Sequence, residues 1–165
     1  MVMMSIGDID LGIGFFVGMI TTIVATLLRE VPVLGVLALA GSVLAYALLG
    51  ALVQLRSVPS LIATLGASFV WLGLGLFVLP VPGGMAPDWL FNYAFWNPPL
   101  SIPAPLVTMV LATALTWFVT RRTGLGVRFR SLGSNPVALV RSGGSLVVTR
   151  MLAYAVVGVL GVLAG

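Results

Sequence analysis

PVLGVLALAGSVLAYALLGALVQ, residues 32–54, carries no charged side chain from one end to the other. A helix needs about 20 mostly apolar residues to cross the hydrocarbon core of a bilayer, and this run supplies them. Pro32 stands where proline suits a helix, in the first turn, whose backbone N–H groups lack intrahelical partners anyway. The pattern repeats outward from this stretch. Upstream, beyond the tight Arg29–Glu30–Pro32 joint, lies LGIGFFVGMITTIVATLL at 11–28. Downstream, beyond Arg56 and Pro59, lies VPSLIATLGASFVWLGLGLFVLP at 58–80. PAPLVTMVLATALTWFVT follows at 103–120, and a further apolar run extends from about 147 to Gly165. The expected fold is all-α: a polytopic transmembrane helical bundle of about five spans, forming one domain over 1–165.

Composition agrees. Of the residues 60% are hydrophobic and 7% charged, with a mean hydropathy of +1.20, whereas soluble domains carry about a quarter charged residues. Neither cysteine nor histidine occurs. Disulfides, thiol nucleophiles, zinc ligation and histidine acid–base chemistry are thereby excluded, and no nucleophile–base or metal set suggests an enzyme. No metal and no cofactor is expected in this chain. The pI near 10.8 does not point to nucleic acid, because the arginines flank apolar spans, where topology determinants sit. The N-terminal stretch does not read as a signal peptide: Asp8 and Asp10 stand where basic residues belong.

Arg121, Arg122, Arg128, Arg130, Arg141 and Arg150 fall in or beside the loop at 121–146. The positive-inside rule puts that loop in the cytoplasm. By alternation, the N-terminus and Arg56 are inside, the neutral Arg29–Glu30 turn is outside, and so is the loop at 81–102. That outer loop holds Asp88 and the aromatic residues Trp89, Phe91, Tyr93, Phe95 and Trp96. It reads either as an interfacial aromatic belt or as a docking surface for an extracytoplasmic partner.

Inside the spans, glycines such as Gly14, Gly18, Gly66, Gly73, Gly75, Gly158 and Gly161 suggest close helix packing. The polar residues there are hydroxyls and Gln54. With no ionisable residue in mid-span, a proton- or ion-coupled carrier is disfavoured. Asp10 reads as the N-cap of the first span. Thr64, Ser68 and Trp71 are candidates to line a pathway. In the arginine loop, Asn135–Pro136 is a helix start and Gly143–Gly144 a stop, so a helix of one to two turns is expected over 136–141. Charge alone would let this loop serve topology only.

Four stretches together resemble a family. TGLGVRFRSLGSNPVA at 123–138 is similar to the cytoplasmic loop of ABC importer permeases of the ribose, galactose and xylose type. GDIDLGIGFFVG at 7–18 resembles the family's G-G-I-D-L-S-V-G-S, with Ile9, Asp10 and Leu11 matching and Asp8 and Gly12 departing. PSLIATLGASFVWLGL at 59–74 resembles P-x-F-I-x-T-L-G, and YAVVGVLGVLAG at 154–165 resembles Y-x-x-S-G-x-x-A-x-x-A-G. Asn135, Ala138 and Gly143 match the loop pattern, while Leu139 stands where a second alanine is common.

The resemblance runs through the whole chain but covers the middle of a family member about twice as long, so a fragment is expected. It implies a multi-pass subunit of the bacterial inner membrane, a second permease copy or paralogue, an extracytoplasmic solute-binding protein, and a separate ATPase subunit that binds ATP–Mg. It also implies that the helix near 135–143 couples to that ATPase. The coupling residues would be Arg128, Arg130, Gly133, Asn135, Pro136, Ala138, Leu139, Arg141 and Gly143, with Leu139 and Val140 filling a groove in the partner. A branched-chain amino acid permease and a non-transporting scaffold subunit are the alternatives.

Overall fold

A computed structural model of the chain describes residues 1–96 and 103–165. Among the described residues the architecture is helical throughout: α1 (Val2–Ser5), α2 (Ile13–Ile23, prolonged by a π-helical stretch Val24–Leu28), α3 (Pro32–Leu55), α4 (Ser60–Val78), α5 (Asp88–Ala94), α6 (Ala104–Arg122), α7 (Gly124–Ser134), α8 (Pro136–Arg141) and α9 (Leu146–Ala164). Helices α3, α4, α6 and α9 are long and apolar enough to cross a membrane, and Ile13–Leu28 is a shorter apolar helix. Four of the five expected spans are therefore present at full length, and the first is the shorter helix. The first starts at Ile13 instead of residue 11, because the chain before it is not helical.

Local chemistry sets the joints. Val31 is extended ahead of Pro32, which takes the first position of α3. The turn is so tight that a Cβ on Gly35 would stand 2.3 Å from the Leu28 Cα; glycine is required there. Pro59 opens α4. Asp88–Ala94 forms a short helix within the aromatic loop, which the sequence reading left without structure; residues 97–102 of that loop lie outside the described part of the chain.

Packing falls into two seams, α3 along α9 and α2 along α4, joined through the middle by aromatic rings. Phe16 of α2 lies 4.5 Å from Tyr46 of α3 and 5.4 Å, edge-on, from Trp71 of α4. Tyr46 also meets Tyr154 of α9 at 6.0 Å. Such offset and edge contacts suit the ring quadrupoles. Glycines admit these rings: Cβ atoms on Gly50 and Gly161 would lie 2.8 Å from the Tyr154 and Phe16 rings. Gly14, Gly18, Gly66 and Gly73, by contrast, have nothing within 4 Å among the described residues, so packing among those residues does not account for them. Helix α6 stands to one side, touching mainly α5 and α7.

Candidate coupling hairpin and polar core

At the arginine-bearing end the chain makes two short helices in succession. Helix α7 was not expected from its glycine-punctuated sequence. It forms because Gly126, Phe129 and Leu132 recur every third residue on one face and are buried, while Arg128 and Arg130 stay exposed. Its start is clamped to α6. A Cβ on Gly126 would stand 2.0 Å from the Thr120 carbonyl oxygen, and Arg130 Nη1 donates to that same carbonyl.

Asn135 divides α7 from α8. Its Oδ1 accepts the Ala138 N–H at 3.1 Å, and Pro136 follows in the first position of α8. The side chain thus satisfies a donor that the new helix leaves free. At the other end Gly143 takes φ +80°, and the Gly144 N–H donates to the Leu139 carbonyl at 2.9 Å. The left-handed residue closes the helix where glycine bears no Cβ penalty. The expected helix and both of its caps are present.

One expectation for this hairpin is corrected. Leu139, assigned to a partner's groove, is 2% exposed and packs within its own chain, where a Cβ on Gly144 would touch its Cδ1 at 2.4 Å. The cause is the brevity of α8: with fewer than two turns, its one inward position must anchor it. Val137 and Val140 face outward, as do Ala138 and Arg141.

The second cluster starts at the N-terminus. Residues 6–12 run without helix between α1 and α2. The Ile9 N–H donates to Ser60 Oγ at 3.2 Å, and the Leu11 N–H donates to Thr64 Oγ1 at 3.1 Å. Asp10 accepts the Gly12 N–H at 2.8 Å on Oδ1 and the Tyr46 hydroxyl on Oδ2. The N-cap of α2 is Gly12, which corrects the assignment of Asp10 to that role; Asp10 closes an Asx turn two residues earlier.

Asp8 is buried and pairs with Arg150 Nε at 3.2 Å. Burial pushes the Asp8 carboxyl above the ordinary aspartate value, and the Arg150 guanidinium pulls it back down. Arg150 is the fifth residue of α9, near its start and away from mid-span.

Of the pathway candidates, Thr64 is fully buried and its hydroxyl serves residues 9–11. Ser68 is buried and turns back to the Leu65 carbonyl at 2.6 Å. Trp71 alone borders open space: it lines two clefts of about 230 and 500 Å³ along α3 and α4, otherwise walled mostly by Ala, Leu and Val. Its Nε1 has no hydrogen-bond partner among the described residues.

The sequence reading missed Tyr46, Tyr154 and the Asp8–Arg150 pair as site residues. A signal existed for the tyrosines, the only two phenols within the spans, since a buried hydroxyl usually needs a partner. None existed for the pair, whose members lie at opposite ends of the chain.

Residues 1–165 match the family described as branched-chain amino acid transport system / permease component. The ribose import permease protein RbsC of Bacillus subtilis (strain 168) is 31% identical over 70% of this chain and 37% of its own length. The protein of the same name from Haemophilus influenzae (strain ATCC 51907 / DSM 11121 / KW20 / Rd) is 29% identical over 97% of this chain and 52% of its own length. The galactofuranose transporter permease protein YtfT of Escherichia coli (strain K12) is 28% identical over 96% of this chain and 48% of its own length. The chain thus spans about half, or less, of these curated relatives. No solved structure matches it. With four helices long and apolar enough to cross a membrane, it is a multi-pass membrane protein. The chain belongs to the branched-chain amino acid transport system / permease component family.

Proposed function

We propose that this chain is the membrane-spanning part of an ATP-driven ABC importer for a monosaccharide, and that α8 is the helix through which a separate ATPase subunit moves it. The observation that carries this reading is the doubly capped α8, held between Asn135 and Gly143 at the arginine-bearing end. It stands beside exposed Arg128 and Arg141, which form no salt bridge among the described residues. A rigid, capped knob ringed by free cations suits an acidic partner surface, where charge complementarity governs encounter and register.

On this reading the 121–146 loop faces the cytoplasm and 81–102 faces the solute-binding protein. A second permease copy completes the path, and ATP–Mg binds the partner subunit. Val137 and Val140, rather than Leu139, supply the apolar contact. The names of the ribose and galactofuranose relatives favour a sugar over the branched-chain amino acid of the family description.

The test is co-purification and uptake with a candidate ATPase subunit of an ABC importer. Arg141→Glu is expected to cut ATPase recovery at least about tenfold, the effect of roughly 1.4 kcal/mol. Asn135→Ala should lower stability by about 1 kcal/mol and weaken recovery less. Retention of ATPase by Arg141→Glu, or uptake of leucine in place of a pentose or hexose, would overturn the coupling or the substrate assignment respectively.

A further inference from the structure

We propose that residues Ile6–Gly12 act as a transmission hook that ties any displacement of α7 and α8 to the polar core around Tyr46 and Thr64, with Gly133, Asp8 and Arg150 as its positioning residues. The claim that an ATPase supplies the displacement rests on the functional reading above; the mechanical tie does not.

The hook touches four other elements through different chemistry. Helix α7 meets it backbone to backbone: a Cβ on Gly133 would stand 2.6 Å from the Ser5 carbonyl oxygen and 3.1 Å from the Gly7 nitrogen. Gly7 adopts φ +79° at the bend, a conformation that few other residues take without strain. One residue on, Asp8 is paired with Arg150 of α9. Ile9 and Leu11 donate their N–H groups to Ser60 and Thr64 of α4, and Asp10 is bonded to Tyr46 of α3.

The hook has no helical ladder of its own: the Ile6, Gly7 and Asp8 N–H groups donate back to carbonyls of α1, and side chains accept from Ile9, Leu11 and Gly12. Backbone N–H and C=O groups withdrawn from water need such partners. The contact at Gly133 contains no side chain that could yield by changing rotamer. If α7 moves, residues 5–7 must follow or separate from it. If they follow, the ion pair and the hydrogen bonds to α3 and α4 shift together, because a close-packed interior switches between discrete arrangements instead of deforming smoothly.

The chain contains no cysteine, so a Ser60→Cys reporter at the hook's edge can be labelled alone with a membrane-impermeant maleimide, in membranes and without any ATPase. Gly133→Ala, which places a methyl group against residues 5–7, is expected to speed labelling of the reporter about fivefold, the effect of roughly 1 kcal/mol on a local opening. Asp8→Asn should do the same. The exchange Asp8→Arg with Arg150→Asp should bring the rate back to within about twofold of the parent. Ser134→Ala, whose hydroxyl bonds only within α7, should leave it unchanged.

Unchanged labelling in both Gly133→Ala and Asp8→Asn would overturn the hook, and so would a charge exchange that fails to restore the parent rate. Neither result depends on ATPase recovery, so loss of the coupling reading and loss of the hook remain separable.

Discussion

Helices α6 and α9 are equally long, 19 residues each, and both are apolar enough to span a bilayer. Their surroundings are opposite. Thr149, Ala153, Tyr154, Gly158 and Gly161 of α9 are buried at helical spacing against α2 and α3. On α6, burial is confined to Ala104 and Thr120, one at each end. Mean hydropathy is 2.1 for α9 and 1.4 for α6, but lipid solvates apolar side chains as well as protein does, so hydrophobicity does not decide which helix is packed. Small residues do. Helix α9 has glycines at 158 and 161 that let rings approach its backbone, whereas α6 has none from 104 to 122. Its threonines bond back to their own helix: Thr113 to the Met109 carbonyl and Thr116 to the Ala112 carbonyl. Within a membrane, then, the packed seam is written in residues that make room, more than in residues that avoid water.

Three substitutions would break or sharpen that contrast. The largest effect is expected from Arg150→Met in α9, which leaves Asp8 buried without its partner. Breaking a buried pair costs about 3–5 kcal/mol, to be read as a lowered unfolding midpoint in detergent. Next comes Gly50→Leu, which drives a side chain into the Tyr154 ring across the α3–α9 seam and is expected to cost about 1–3 kcal/mol by overpacking. The smallest belongs to α6: Val110→Ala, at an exposed position, should stay within about 0.5 kcal/mol of the parent in the same assay. A Val110→Ala cost matching that of Gly50→Leu would mean that α6 is held as tightly as α9.

Much of the fold was legible because each span announces itself by local composition alone, and the joints at Pro32 and Pro59 by backbone chemistry. Helix α7 was not, because three glycines and two arginines obscured a buried face that takes only Gly126, Phe129 and Leu132 to make. In the candidate site, Asn135 and Gly143 could be read in advance because caps act over three or four residues. The inward turn of Leu139 and the pairing of Asp8 with Arg150 could not. Both depend on which surfaces the folded chain brings together, and no local pattern records that.

The π-helical stretch Val24–Leu28 has a consequence for how one short helix serves two neighbours. An α-helix turns about 100° per residue, so the extra residue in a wider turn swings everything beyond it around the axis by about that angle. Before it, Phe16, Met19, Ile20 and Ile23 are buried in the bundle interior. At its last residue, the Leu28 backbone lies flush on Gly35, and the chain then reverses into α3. Removing one residue from 24–28 would restore uniform winding, carry Leu27 and Leu28 back toward the earlier face, and leave the reversal at Pro32 with nothing to lie on.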